Sequence, residues 1–575
     1  MIRKLTAKSS LDSLKKEAKR WLKALRAHDP EALARLKQVL PQVDTNAGLR
    51  EVQQALAREH GADSWATLKL QLADEALARR THAERLAEFL EHAILNYGIP
   101  PGVPKWDPSY PDDPSRRDYA ARILTKHPEI VHGSIHAAVL SGDVTEVERL
   151  IKQDQRSVSL KEGTRQWEPL LYLAYGRLPL TPAIENAAAI AQLLLNHGAS
   201  PNVQMTDGTN PFTAVTGFIG EGERTPVEVP PHPHAAKLVR LLIEHGANPF
   251  DTQVLYNTSL WHDSVEWLDL LYGYDQRSGH TARWNEGQPG QLDYLLGNAV
   301  DRNHVKRIEW LLAHGASPRA KHAYTKRNLH TSAVLHGHTQ TAALLAKAGA
   351  QIEELKGHEA FQAAALRMDV DLVRELAQSH PEYLNRGSAL LTAARAGRVD
   401  VVELLLDLGT PPDAKGVEGE HPLHVATWAD SVPVARLLIE RGADVDARDG
   451  KHHATPLSWA VYLGKPQLIE YLSTVSSDIF CLVSVGKIER LRSLLDAQPV
   501  LARAVRDDQT TLFCLPEKDE DLAIDLAELL LAHGADPGFK NAQGTAAADE
   551  AEQRGMDALA QLLHDARQPS TRQSQ

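Results

Sequence analysis

Cysteine is nearly absent from this 575-residue chain, where Cys481 and Cys514 stand alone. Two such residues, far apart and without a C-x-x-C partner, build neither a disulfide framework nor a zinc knuckle, so a reducing, cytoplasmic setting is the simplest expectation. Aromatics make up only 5% of the residues. No run of about 18 apolar residues exists to cross a membrane. The amino-terminal MIRKLTAKSSLDSLKKEAKR has no apolar stretch of signal-peptide length, which argues against secretion by that route. Catalytic signatures are missing too: no H-E-x-x-H, G-x-S-x-G, Walker A or G-x-G-x-x-G is found, and no cofactor is expected. The tight histidine pairs His232/His234, His336/His338 and His452/His453 lack a third ligand at familiar spacing, so no metal site is expected.

What is present is punctuation. Gly (36) and Pro (32) recur between helix-length segments, and a chain this long exceeds a single hydrophobic core. Together these features point to an α-rich array of short helices. Charge is uneven: residues 1–80 carry 16 Lys and Arg against 10 Asp and Glu, while the whole chain is −12. The basic front suits nucleic acid, an acidic partner, docking on the acidic body of the same chain, or plain solvation. No nucleic-acid-reading motif accompanies it, which weighs against the first. In this segment Leu11, Leu14, Ala18, Trp21, Leu22 and Leu25 fall at helical spacing, and two further helices follow up to residue 80. Residues 98–115 are too rich in Pro and Gly for a helix. The expected division is a basic helical module over 1–97, a linker and leading helix over 98–130, a repeat array over 131–566 and a disordered tail over 567–575.

One signal repeats through the array, an apolar helix end followed by glycine, as in LLLNHGASPN, LLIEHGANPF and LLIERGADVD. The glycines are Gly198, Gly246, Gly315, Gly349, Gly409, Gly442 and Gly534, each suited to the left-handed residue that closes a helix. Their separations of 48, 69, 34, 60, 33 and 92 reduce to units near 33 with insertions and silent repeats. The segment HPLHVATWADSVPVARLLIERGADVDARDG (421–450), its continuation ATPLSWAVYLGKPQLIEYL and RNLHTSAVLHGHTQTAALLAKAGA (327–350) resemble the ankyrin consensus. The chain is identified as a member of the ankyrin-repeat family, with about 12–13 helix-turn-helix units. Its amino-terminal pattern is similar to that of a recurring type of bacterial ankyrin protein. The fold that the resemblance implies is an all-α solenoid whose fingers and first helices line a concave face.

Three long insertions, 178–188, 219–234 and 273–291, interrupt this regularity between residues 165 and 295. Insertions in neighbouring turns are expected to meet at one edge and wall off part of the groove. Large polar and aromatic residues gather there and at later finger-to-helix junctions. The candidate binding residues are Trp167, Tyr172, Asn210, Tyr256, Asn257, Trp261, Tyr324, Arg327, His330, His421, His424 and Trp428. Against that reading, His330 and His424 occupy the histidine of a T-P-L-H-like motif, a common inter-repeat hydrogen-bonding position. His197, His245, His314 and His533 precede helix-closing glycines, where they bond free carbonyls. Trp267 and Trp310 read as core. Two functions stay open. The first is a scaffold that recognises a protein partner through its concave face and inserted loops. The second is a non-standard enzyme or binder of a small sugar-like or aromatic ligand, with Glu168, Asp263, His262 and Glu420 as candidate acid-base groups.

Overall fold

The computed structural model describes residues 3–5, 11–43, 47–96, 114–206, 210–224, 227–517 and 519–567. Most of the Pro- and Gly-rich part of the 98–130 segment, and all but the first residue of the 567–575 tail, lie outside the described residues. The protein is an all-α repeat array forming two compact units, one of Met1–Ala73 with Leu355–Gln575 and the other of Asp74–Glu354. Residues 1–97 are thus divided between the units. The division falls where it does because the Phe89–Leu90 face of the His82–His92 helix packs into the same apolar core as Ile123, Ile135 and Val139.

Among the described residues, six helix pairs build the repeats of the Asp74–Glu354 unit, from Ile135–Ser141 with Val144–Gln153 to Leu329–Leu335 with Thr339–Lys347. In the other unit, seven run from Gly357–Leu366 with Val370–Ser379 to Ala547–Gln553 with Asp557–Arg567, the sixth opening on the short 3-10 turn Thr511–Cys514. Each pair buries apolar residues of both helices, and within each apolar cluster the core runs on from one pair to the next, so stability comes from stacking. The seven helix-closing glycines all have positive φ, between 89° and 102°. The four histidines that precede glycine bond back one turn through Nδ1: His197 to the Leu193 carbonyl at 2.9 Å, His245 to Leu241 at 2.9 Å, His314 to Trp310 at 2.7 Å and His533 to Leu529 at 2.9 Å. Each imidazole thereby adds a second donor to a last-turn carbonyl that already accepts the same histidine's backbone N–H.

Neighbouring repeats are also tied by polar side chains. Thr455 caps the Pro456–Tyr462 helix and donates to Asp478 at 2.9 Å, and Asp478 caps the next helix while Arg506 holds it at 2.6 and 3.1 Å. Thr213 and Asp251 repeat the motif in the other unit at 2.7 Å.

The basic amino-terminal helices occupy one end of the Leu355–Gln575 unit. Trp21, Leu22, Leu36, Val52, Leu56 and Leu68 form their core, which extends to Ala558 of the last repeat. Around that contact Lys15 pairs with Asp557 at 2.6 Å, Lys19 with Glu552 at 2.7 Å, Arg26 with Asp565 at 2.5 Å and Arg50 with Asp521 at 2.8 Å. A terminal repeat has one unstacked face, and this module covers it.

Candidate functional site

The first two insertions come together within the Asp74–Glu354 unit. Residues 178–188 contain a short helix, Thr181–Glu185, that lies against the turn of the preceding repeat. Gly142 in that turn has φ +80°, and a Cβ there would meet the Pro182 carbonyl oxygen at 2.2 Å; Asn186 Nδ2 donates to the Gly142 carbonyl at 2.9 Å. Within residues 219–234, Glu223–Arg224 pairs antiparallel with Val227–Glu228, and the chain returns through a proline-rich segment without regular secondary structure. Arg177 joins the two insertions, donating to the carbonyls of Ala174, Gly176, Gly217 and Pro230 at 2.9, 2.8, 2.6 and 3.2 Å. Residues 93–95 pair with Tyr175–Arg177 beneath it, Leu95 donating to the Tyr175 carbonyl at 2.8 Å.

Between the insertions is a cleft of about 270 Å³ lined by Leu178 and Ile184 on one side and Pro231 and His232 on the other, with Arg117 and Arg177 also at its walls. His232 is 5% exposed, and its Nδ1 accepts the His234 backbone N–H at 3.0 Å. Burial, with the nearby Arg177 charge, pushes the His232 imidazole down to about 3, so it is neutral with its proton on Nε2.

The aromatic residues of this region are largely internal. Trp167, Tyr172 and Tyr175 pack together, with ring centroids 5.4–5.7 Å from the Trp167 indole. Tyr172 donates to the Glu162 carbonyl and Tyr175 to that of Thr213, each at 3.0 Å. Asn257 is buried and donates to the Gly220 carbonyl at 3.3 Å, fixing the start of the second insertion. Tyr256 and Asn210 are half-buried, while Trp261 and His262 are exposed. Asp263 accepts the backbone N–H groups of Lys306 and Arg307 at 3.1 and 3.0 Å, which makes it the anion at the start of the Val305–Ala313 helix. Glu168 precedes the Pro169–Tyr175 helix without a side-chain capping bond.

The third insertion, 273–291, continues the Glu266–Ser278 helix into the 3-10 turn Thr281–Asn285. Trp284 is fully buried there. Its Nε1 donates to Asp275 at 2.7 Å, and Arg283 clamps the same buried carboxylate. Trp310 is also buried, bonded to Asp269 at 2.5 Å and stacked on His314 at 3.7 Å, while Trp267 is half-buried and donates to Glu221 at 2.9 Å. Further along, Tyr324 is 73% exposed and its hydroxyl lies 3.2 Å from that of Tyr294; Arg327 is exposed and His330 half-buried.

In the Leu355–Gln575 unit the first helices carry a different surface. His424 is fully buried, its Nε2 2.9 Å from the Ala454 carbonyl of the next repeat, while His421 is buried beside it. Trp428 ends the Pro422–Trp428 helix and is 51% exposed; Tyr462 ends the equivalent Pro456–Tyr462 helix one repeat on and is 58% exposed. The Trp459 ring stands 6.3 Å from that of Trp428 and 5.3 Å from that of His424. Its Nε1 donates to Asp449 at 3.1 Å. That carboxylate also accepts the backbone N–H groups of Lys451, His452 and Ala454 at 2.9, 2.6 and 3.0 Å, which fixes the finger loop. Burial works against the Asp449 charge, but these donors outweigh it and hold the carboxyl at about 2. Glu420 accepts the Glu418 N–H at 2.9 Å in the previous finger, so this candidate acid and the other three stand in different units. No group of three His, Cys, Asp or Glu residues able to hold a metal occurs among the described residues.

Sequence reasoning passed over Tyr462, Asp449 and Asp275. Aligning the helix that ends at Tyr462 with the one that ends at Trp428 would have found the first. Nothing in the spacing signals the two aspartates, because each acts on its own loop.

Residues 361–449 match the family model for ankyrin repeats in three copies, and the helix pairs continue with that pattern on both sides. The chain is an ankyrin-repeat protein. This ankyrin-repeat protein is 32% identical over 137 residues to protein PhlB of Serratia liquefaciens, a match covering 23% of this chain and 60% of that protein. It is 32% identical over 116 residues to the human ankyrin repeat and SOCS box protein 16, covering 20% and 25%. Against the NF-kappa-B inhibitor cactus of Drosophila yakuba it is 26% identical over 127 residues, covering 20% and 24%. The match thus spans 60% or less of each of these relatives. An ankyrin repeat domain of Acinetobacter baumannii of known structure is 26% identical over 31% of this chain and 96% of that one, at a TM-score of 0.26. No described helix is long and apolar enough to cross a membrane.

Proposed function

We propose that this ankyrin-repeat protein is a binding scaffold that takes a protein partner on the concave first-helix face of its carboxy-terminal repeats, centred on Trp428 and Tyr462. The observation that carries this reading is the equivalent position of these two half-exposed aromatics in successive repeats, supported by a fixed neighbour in Trp459. Large aromatic side chains held in one orientation supply contact area at little entropic cost, which is how binding hot spots work. Asp449 and His424 supply the rigidity by tying finger to helix. Ankyrin repeats in general serve protein association, and the exposed Val417 at the preceding finger extends the apolar surface. Tyr324 and Arg327 offer a second exposed pair in the other unit.

The test is capture of partners by the intact protein, compared with Trp428→Ala and Tyr462→Ala variants. Each single variant should weaken capture by at least tenfold, the loss typical of a hot spot truncated by about 1.4 kcal/mol or more. Capture undiminished in the double variant would move the partner face elsewhere.

A further inference from the structure

The cleft between the first two insertions has the composition of a ligand site. Its lining includes Arg117 and Arg177 and no Asp or Glu, and its remaining walls are mainly proline, leucine, isoleucine and alanine. His232 adds one directed donor. Its Nδ1 is occupied by the His234 N–H, its Nε2 has no hydrogen-bond partner among the described residues, and the side chain is almost wholly buried where it lines the cleft. Such a buried N–H, beside positive charge and apolar walls, asks for an acceptor that the protein does not itself provide. The walls are held in place independently of any ligand, since Arg177, at the foot of the first insertion, bonds the Pro230 carbonyl of the second and the Gly217 carbonyl just before it, and Asn186 anchors the first to Gly142.

We propose that this cleft binds a small monocarboxylic acid with an apolar body, its carboxylate accepting from His232 Nε2–H within the field of Arg177 and Arg117, and its body lying against Leu178, Ile184 and Pro231. A phosphate-type dianion fits less well, because it needs several converging donors and those of Arg177 already serve four carbonyls. An amine is disfavoured by the two guanidinium groups. At about 270 Å³ the cleft lies just below the range of drug-sized sites, roughly 300–1,000 Å³, so the ligand is of the size of benzoate or hexanoate. This site is separate from the proposed protein-binding face and stands or falls without it.

The experiment titrates the full-length protein with benzoate and hexanoate, using benzylamine and benzyl alcohol as controls, followed by ligand-observed NMR and thermal shift. Both acids should bind and raise the melting temperature, with benzyl alcohol weaker and benzylamine silent. His232→Phe keeps the buried ring and removes the donor, so it should weaken acid binding about tenfold or more with an unchanged circular dichroism spectrum. Ile184→Trp fills the cleft and should abolish binding. Absence of acid binding up to the order of 10 mM, equal binding of benzylamine, or full acid affinity in His232→Phe would each overturn the assignment.

Discussion

Trp284 and Trp428 are the same residue type in repeats of the same family, one in the inserted stretch and one in the regular stretch. Trp284 is fully enclosed and bonded to a buried aspartate, whereas Trp428 has half its surface open. In the inserted repeats the aromatic and polar residues hold loops in shape: Tyr172, packed on Trp167, bonds the Glu162 carbonyl of the finger ahead of the first insertion, Asn257 fastens the second insertion and Trp284 the third. In the regular repeats the fingers are short, and although Phe361 and Phe480 are buried and Trp459 braces a finger, Trp428 and Tyr462 stand outside. An unusual density of aromatics therefore marks different things in the two regions, loop architecture in the first and contact surface in the second.

The sharpest way to break this contrast is to truncate both tryptophans. Trp284→Ala should cost about 3–5 kcal/mol, because it empties a buried volume and leaves Asp275 one donor short. Trp428→Ala should change stability by about 0.5 kcal/mol or less while removing binding. Urea unfolding followed by circular dichroism reads both variants. Equal destabilisation by the two would erase the distinction.

A second comparison concerns how the repeats are tied together. Asp478 is buried and its carboxyl is drawn upward by that burial, yet the Arg506 hydrogen bonds and charge outweigh it and hold the group below the usual carboxylate range. Its stabilising contribution is therefore present above the ordinary carboxylate pKa and is lost as pH falls through the lowered value. Arg506→Ala leaves the carboxylate buried without its cation and should cost about 3 kcal/mol near neutral pH. The penalty should shrink as acid neutralises Asp478. The parallel Thr213–Asp251 tie has no such arginine contact among the described residues, and Thr213→Ala should cost about 1 kcal/mol. Unfolding midpoints across pH would show whether the arginine makes the difference.

The solenoid was legible in the sequence because glycine is the cheapest residue at a left-handed helix end, and Gly198, Gly246 and Gly442 recur with the repeat. The histidines before those glycines were legible for the same local reason. The candidate site was harder to read. Trp167, Tyr172 and Asn257 have the composition of a recognition surface but lie inside, since amino-acid type does not report which side of a long loop faces solvent. Asp263 looks like a candidate acid and is a helix cap for residues 306 and 307, a tie across more than 40 positions that no local pattern reveals. His232 was visible only as half of a histidine pair, because its role depends on Arg177 and on the fold of a neighbouring insertion.

The smallest expected effect separates the two ends of the charge asymmetry. The basic amino-terminal helices sit on the final repeat, and their contacts differ in exposure: Asp557 is buried where Lys15 reaches it, whereas Arg26 is exposed and Asp565 half-buried. Exposed pairs contribute roughly 0–1 kcal/mol and weaken with salt, so Arg26→Ala should shift the unfolding midpoint barely measurably, and less still in about 0.5 M salt. Lys15→Ala should do more, since burial already draws the Asp557 carboxyl upward and the Lys15 hydrogen bond and charge are what oppose it. Because Lys15, Lys19, Arg26 and Arg50 all meet carboxylates of the same unit, the intact protein should show no salt-dependent retention on nucleic acid at about 50 mM salt. Retention that vanishes between about 50 and 200 mM would mean that the basic module reads phosphate as well as capping the array.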